Sequence, residues 1–273
     1  MPPGNSPGNR VLIVGSGILA RSFEKNLSDE YEVRLIHPKY LTQTGSELFD
    51  VAVIAAGPDR SFCSDVGWES ALNADIVCRD FGYIKTPKVI VISSLAATEY
   101  AEAKIHDQAL PQHAYGRYHY ERENRLLRQC KRSNRLLQVV RLGNVFGMTD
   151  RFSPKAFGRL GFIDQLLYQG TKQREIIVTS PIDRSFRPIF IGDVNESIRK
   201  LLDDSGSNLI IHLWKPEIKI SNIVEIIKGE LLRKGCYVEV YMTRFCIGEK
   251  SQHSESIDYL RTKISELVST LEF

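Results

Sequence analysis

The 273-residue chain has few cysteines, little net charge and no long apolar run, and each absence excludes a class of protein. Its five cysteines form no CxxC pair and show no metal-ligand spacing with histidine, so the sequence predicts neither a disulfide framework nor a metal site. The 36 Lys and Arg and 33 Asp and Glu residues are spread along the chain, which gives no basic block for nucleic acid or a membrane surface. No apolar run is long enough for a membrane span, and residues 1–8 lack the pattern of a signal peptide. We therefore expect a cytoplasmic protein without a nucleic-acid or membrane partner, and small acidic substrates stay open.

Short apolar runs alternate with helical patterns in the first part of the chain. The apolar runs lie at 11–14, 33–36, 51–56, 89–94 and 136–142. Such alternation is typical of βαβ units around a parallel sheet. The sequence therefore predicts an α/β fold with a doubly wound parallel sheet of the Rossmann type over residues 1–150. Residues 151–273 are predicted to form a small C-terminal substrate-binding lobe, in which Ser221 caps a helix over 222–233.

A glycine-rich turn lies between the first predicted strand and the helix after it. Gly15, Gly17 and Ala20 have the spacing of a dinucleotide-binding turn. The glycines allow backbone amides to approach a pyrophosphate closely, and the helix N-terminus favours its negative charge. The turn therefore predicts a bound dinucleotide.

The end of the second predicted strand indicates which dinucleotide. An acidic residue there would bind the ribose 2′-hydroxyl of NAD, but this chain has His37 and Lys39, with Arg21 just after the glycine turn. Basic residues suit the 2′-phosphate of NADP, which favours NADP over NAD. The alternative is that Arg21 and Lys39 are solvated surface charges.

The next helical pattern contains a tyrosine and a histidine four residues apart. Because residues four apart share a helix face, Tyr115 and His119 should point into one cleft, with Tyr118 close to the same stripe. Further motifs follow the predicted strands in order: Ala55 to Gly57, Ser93 with Ser94, residues 140–147 and residues 187–194.

Together these motifs resemble the extended short-chain dehydrogenases/reductases, the group of NAD-dependent epimerases, dehydratases and nucleotide-sugar reductases. The resemblance covers nearly the whole chain. It implies an enzyme that uses NADP or NAD to modify a nucleotide-activated sugar by reduction, epimerisation or dehydration, as in polysaccharide biosynthesis. It also implies that roughly residues 187–202 return to the core. The assembly is left open, with a homodimer as one candidate.

The resemblance also implies a role for individual residues. Tyr115 would be the catalytic acid/base, and His119 and Ser94 would be its partners. The substrate would be held by Asn144, Arg184 and Arg187, since arginine can bond two oxygens of a diphosphate at once. The cofactor would be bound by the following residues: Gly15, Ser16, Gly17, Ile18, Leu19, His37, Ala55, Ala56, Gly57, Ser93, Tyr115 and His119.

The catalytic set departs from the family pattern at two places. The family has lysine where this chain has His119, and Ser or Thr where it has Leu95. In the family, that lysine binds the nicotinamide ribose and lowers the tyrosine pKa. His119 has a reference pKa of about 6.5, so it would be charged only about a quarter of the time at pH 7, and burial would lower that fraction further. We expect it to keep the hydrogen bond but only part of the charge. Two alternatives therefore stay open: a redox-inactive dinucleotide- or nucleotide-sugar-binding protein, and a non-redox transferase or lyase on the same fold.

Overall fold

The computed structural model describes residues 10–45, 47–99, 114–147, 160–180, 184–204, 206–242 and 254–271. Residue contacts divide the chain into two compact units. The first unit comprises Met1–Leu142 and Asn195–Leu213, and the second comprises Gly143–Val194 and Trp214–Phe273. The sequence pattern placed this division near residue 150 and the returning segment near 187–202.

The first unit is built on one sheet. Numbered in chain order, its strands are β1 Arg10–Val14, β2 Glu32–Ile36, β3 Val51–Ile54, β4 Lys88–Ser94, β5 Leu136–Leu142 and β10 Leu209–Leu213. All pair in parallel, in the order β10-β5-β4-β3-β1-β2. The predicted α/β fold with a parallel sheet is therefore confirmed.

Helices connect these strands. They are α1 Ile18–Leu27, α2 Arg60–Val66, α3 Trp68–Ala74, α4 Ile76–Asp80 and α5 Ala114–Arg132, with 3₁₀ turns at Pro38–Thr44 and Phe81–Tyr83. A further helix, α7 Ile191–Asp203, ends in the first unit and leads to β10.

The strands form where the chain can bury a continuous apolar run. Residues 11–14 of β1 are fully buried, as expected for a parallel strand covered on both faces. Lys88 is an exception at the start of β4, because it is charged and only 7% exposed. Its ammonium donates hydrogen bonds to the carbonyl oxygens of Leu201 and Asp204 at the C-terminal end of α7. A cation at this end stabilises a helix, so Lys88 holds α7 in the first unit.

The described residues of the second unit form three small two-stranded sheets. In these, β6 Asn144–Phe146 pairs with β9 Pro188–Phe190, β7 Glu175–Val178 with β12 Glu239–Met242, and β8 Ser185–Phe186 with β11 Ile218–Lys219. Its helices are α6 Phe162–Tyr168, which continues as a π-helix over Gln169–Gln173, α8 Ile220–Arg233 and α9 Ser254–Thr270. Leu166, Ile223 and Ile264 join these helices in one apolar core.

The predicted cap of α8 is wrong. The helix begins at Ile220, and its N-cap is Lys219, which makes no side-chain capping bond. Because β11 passes directly into the helix, the Ile220 amide donates instead to the carbonyl oxygen of Arg184, 3.0 Å away. Across the described residues, no helix combines the length and apolar character needed to cross a bilayer.

Candidate active site

An open cleft of ≈ 520 Å³ lies in the first unit where β1, β2 and β3 end. Its walls include Gly17 after β1, His37 after β2 and Ala55 after β3. Ligands of open α/β sheets bind at these carboxyl ends. Six of the predicted cofactor residues line the cleft: Ser16, Gly17, His37, Ala55, Ala56 and Gly57. Ile18 and Leu19 form the first turn of α1 and do not line it.

The two glycines of the turn have different tasks. A Cβ added to Gly15 would lie 2.7 Å from the Ala20 Cβ and 2.8 Å from the Ala55 carbonyl oxygen, so Gly15 allows α1 to pack against the sheet. A Cβ added to Gly17 would meet no protein atom within 4 Å. Gly17 is also the N-cap of α1 and makes no side-chain capping bond, which leaves the first-turn amides open to a ligand. A helix N-terminus of this kind suits a pyrophosphate.

The residues that follow β2 include a histidine and a lysine and no carboxylate. His37 is exposed, and its Nδ1 accepts a hydrogen bond from the Lys39 amide, 3.2 Å away. The Lys39 ammonium lies 4.6 Å from the centre of the Tyr40 ring. The two acidic residues that line the cleft are engaged as helix caps: Asp59 at α2 and Asp75 at α4.

Tyr115 and His119 lie together on α5, as predicted. Their rings pack edge to face with centroids 4.5 Å apart, and the Tyr118 ring lies 5.0 Å from His119. A Cβ on Gly116 would come within 2.6 Å of the Ala96 carbonyl oxygen, so glycine allows this end of α5 to pack directly on the segment after β4. Here the Ser94 side chain lies close enough to Tyr115 to lower the pKa of its hydroxyl.

The surroundings of Tyr115 keep its hydroxyl protonated. Burial raises the pKa of Tyr115 above its ordinary value. The Ser94 side chain and the nearby Arg60 guanidinium lower the pKa again, but only in part. Tyr115 is therefore a neutral phenol at pH 7.

The surroundings of His119 lower its charge well below that of a free imidazole, in the direction expected for a buried group. The side chain is 7% exposed, and burial together with the positive charges of Arg122 and Arg141 lowers its pKa to about 3. The sequence indicated the direction of this change but not how deeply the imidazole is buried. His119 is neutral at physiological pH and supplies no fixed charge to Tyr115.

A buried ion pair lies beside the cleft, and the sequence motifs did not predict it. Arg122 Nε lies 2.7 Å from Asp75 Oδ2, which also accepts a hydrogen bond from the Tyr118 hydroxyl at 2.7 Å. The same guanidinium donates to the carbonyl oxygens of Ala56 and Ile92. One side chain thus connects α5, the N-terminus of α4 and the ends of β3 and β4.

A second buried ion pair lies beneath His119. The Arg141 guanidinium binds the Glu123 carboxylate, with Nη2 2.6 Å from Oε2 and Nε 3.1 Å from Oε1. Arg141 also donates to the Thr98 hydroxyl at 3.2 Å. Glu123 accepts a hydrogen bond from Ser93, whose oxygen lies 3.3 Å from His119 Nδ1.

Two sequence signals could have indicated this second pair. Glu123 comes four residues after His119, so the helix places it on the same face. Arg141 is a charged residue inside the apolar run of β5, where a lone charge needs a partner. No comparable signal indicated Asp75, which is far from Arg122 in sequence.

The predicted substrate residues lie in the second unit. Asn144 and Arg187 are held together: the Asn144 amide donates to the Arg187 carbonyl oxygen, and the Arg187 amide donates to Asn144 Oδ1. The Arg187 guanidinium forms an ion pair with Glu217 at 3.1 Å. The Arg184 guanidinium lies 5.6 Å from the centre of the Phe186 ring. Within the described segments, no group of three His, Cys, Asp or Glu side chains could hold a metal ion.

Comparison with known proteins identifies the fold. No protein-family profile and no curated protein sequence matches the chain. Solved structures do match over nearly the whole length. A UDP-N-acetylglucosamine 4-epimerase from Methanobrevibacter ruminantium, in complex with UDP-N-acetylmuramic acid, has a TM-score of 0.71 at 15% identity, covering 97% of this chain and 99% of that chain.

Two further structures are similar to the same extent. A UDP-glucose 4-epimerase from Thermotoga maritima, with UDP-glucose, has a TM-score of 0.72 at 13% identity, covering 95% of this chain and 97% of that chain. The protein RMD from Pseudomonas aeruginosa, complexed with NADPH, has a TM-score of 0.65 at 17% identity, covering 96% and 98%. The chain therefore shares its fold, a Rossmann-type parallel sheet, with these solved structures over nearly its whole length.

Proposed function

We propose that this chain is an NAD(P)-dependent enzyme that modifies a nucleotide-activated sugar. The observation that carries the proposal is the cleft at the ends of β1, β2 and β3, which brings together six residues from three separate sequence motifs. The UDP-sugars in two of the similar structures and the NADPH in the third support the substrate class and the cofactor.

The glycine turn and the strand ends fit a dinucleotide. The space beside Gly17 and the uncapped amides of α1 would hold the pyrophosphate, while His37 and Ala55 would border the adenosine half. We infer a preference for NADP, because the end of β2 has His37 and Lys39 and no carboxylate. Bound there, the nicotinamide ring would supply hydride transfer to or from a sugar carbon.

Tyr115 is the proposed acid/base, and its protonation state favours one direction of reaction. Because burial keeps its hydroxyl protonated, Tyr115 is ready to give a proton and not to take one. Reduction of a keto group needs such a donor: Tyr115 gives its proton to the carbonyl oxygen as the alcohol forms and regains one from water. Ser94 lies beside the phenol and would orient its hydroxyl, and His119 packs against the ring.

Titration calorimetry tests the cofactor and the substrate class in turn. The unmodified protein is titrated with NAD, NADH, NADP and NADPH, and then, with the tightest of these present, with UDP-sugars that carry a keto group. We expect at least one dinucleotide to bind, NADPH most tightly, and a UDP-sugar to bind to that complex. Failure of all four dinucleotides to bind would contradict the proposal.

A redox-inactive binding protein is the second candidate. It is favoured by one observation: neutral His119 gives Tyr115 no cationic support, and the pKa of Tyr115 is raised. This candidate predicts the same binding isotherms but no change in nicotinamide absorbance when the dinucleotide and the sugar are mixed with the protein.

A further inference from the structure

His119 ends a hydrogen-bonded chain that starts at a buried ion pair. Arg141 and Glu123 are 7% and 6% exposed, and the guanidinium binds both carboxylate oxygens. Ser93, also buried, lies between Glu123 and His119 Nδ1. The order of the chain is therefore Arg141, Glu123, Ser93 and His119.

The direction of each hydrogen bond in this chain follows from proton counting. A carboxylate paired with a guanidinium is an acceptor only, so the contact between Glu123 and Ser93 needs the hydroxyl proton of Ser93. Ser93 then offers His119 only a lone pair. A contact between the Ser93 oxygen and Nδ1 therefore requires the hydrogen on Nδ1, because a neutral imidazole has one N–H and one bare nitrogen.

The other ring nitrogen is left as a bare acceptor. His119 Nε2 is buried and has no hydrogen-bond partner among the residues that the structure describes. Buried acceptors in native proteins are normally paired, so a donor is expected to reach this atom when the site is in use. The positive charges of Arg122, Arg141 and Arg60, opposed by the negative charge of Asp75, act on the same imidazole and disfavour a cationic donor. A phosphate or carboxylate brings no proton, which leaves an uncharged O–H or N–H group, and the ribose hydroxyls of a dinucleotide are of the first kind.

We propose that Glu123 and Arg141 are positioning residues that hold His119 as the Nδ1–H tautomer, so that Nε2 accepts a hydrogen bond from a ligand hydroxyl. His119 can therefore accept a hydrogen bond, whereas a lysine in the same place could only donate one. The identity of that hydroxyl, a ribose hydroxyl of the dinucleotide, rests on the proposed function. The tautomer does not.

Nitrogen-15 NMR of the histidine side chains tests the tautomer in the unliganded, unmodified protein. Of the six histidines, the His119 signals are identified as those missing from His119→Gln. We expect the pattern of an Nδ1–H imidazole, unchanged from about pH 5 to about pH 9 because the group titrates far below this range. A protonated Nε2 in the unmodified protein, alone or in an imidazolium, would overturn the inference.

Glu123→Gln tests the positioning role without changing the shape of the side chain. The glutamine amide can donate to Ser93, which frees the serine proton for His119 Nδ1, so the imidazole should switch to the Nε2–H tautomer. Glu121→Gln on the same helix removes the same charge and should leave the His119 signals unchanged. If His119 keeps the Nδ1–H pattern in Glu123→Gln, Glu123 does not position it.

Binding measurements test the acceptor role separately. Glu123→Gln should bind the preferred dinucleotide about tenfold more weakly, the scale of one buried hydrogen bond. Analogues that lack one hydroxyl of the nicotinamide ribose identify the donor. The analogue without the hydroxyl that donates to Nε2 should bind the unmodified protein and Glu123→Gln with equal affinity. If Glu123→Gln lowers the affinity for every analogue by the same factor, the acceptor role is overturned. If no dinucleotide binds the unmodified protein, the proposed function and the ribose hydroxyl fail together, while the NMR result still decides the role of Glu123.

Discussion

Arg122 Nε lies 2.7 Å from Asp75 Oδ2, and both side chains are 1% exposed. Asp75 accepts further hydrogen bonds from Tyr118 and from the first-turn amides of α4. Because Asp75 and Ala56 both line the cleft, this ion pair fixes one wall of the proposed dinucleotide site from behind.

Asp75→Asn should therefore lower the free energy of unfolding strongly. Removing one partner leaves the Arg122 charge buried and unpaired, which costs about 3–5 kcal/mol. Urea unfolding followed by circular dichroism measures the loss. The matched control is Asp80→Asn, which breaks the ion pair with the exposed Arg79 and should cost less than about 1 kcal/mol. Equal losses in the two variants would contradict the assigned role.

The same pair predicts how stability depends on pH. Burial acts to raise the pKa of Asp75, but Arg122 and the Tyr118 hydroxyl outweigh it and hold the pKa below its ordinary value. A carboxylate with a lowered pKa stabilises the fold above its unfolded-state pKa of about 3.9, and this contribution is lost as the pH falls through the folded-state value. The difference in unfolding free energy between the unmodified protein and Asp75→Asn should therefore shrink below about pH 4. A difference that stays constant down to pH values near 2 would contradict the account.

The glycine turn predicts that folding and binding can be separated. Gly15→Ala should destabilise the protein, because its Cβ would collide with Ala20 and with the Ala55 carbonyl oxygen. Gly17→Val should leave the fold nearly unchanged, since the added atoms face open space, but should block the pyrophosphate and abolish dinucleotide binding. Thermal unfolding and calorimetric titration of both variants check this. Retained binding in Gly17→Val would show that the dinucleotide does not lie beside this residue.

Cofactor choice should depend on salt. If Lys39 or Arg21 contacts the 2′-phosphate, NADPH should bind more tightly than NADH at low salt, and the difference should narrow at high ionic strength because the contact is between charges. Lys39→Ala or Arg21→Ala should reduce the preference. Lys25→Ala, at an exposed position near the other end of α1, should not. Equal affinities for NADPH and NADH at low salt would rule out the assigned preference.

The parts of the fold that the sequence predicts are those set by local pattern. Buried runs such as 11–14 and 89–92 are recognisable because parallel strands are apolar on both faces. Tyr115 and His119 could be placed together because helical spacing alone brings their rings into contact.

The parts that the sequence did not predict depend on contacts between distant segments. Asp75 and Arg122 resemble ordinary surface charges in the sequence, because most such residues are solvated. Only the packing of α5 against α4 buries them together. How far the pKa of His119 falls depends on such contacts too, since it is set mainly by burial and then by the charges of Arg122 and Arg141. The start of α8 was misplaced because a strand pairing, and not a capping side chain, determines it.

The most direct test of the central claim is Tyr115→Phe in single-turnover reduction. NADPH is mixed with the protein and a panel of nucleotide-activated keto sugars, and the loss of nicotinamide absorbance is followed. Removing only the hydroxyl should lower the rate by about 10²–10⁴-fold, the usual contribution of a positioned proton donor, while NADPH binding stays nearly unchanged. Tyr120→Phe on the same helix is the control and should keep the rate of the unmodified protein. Full activity of Tyr115→Phe would show that Tyr115 is not the acid, and the assigned site would then be structural.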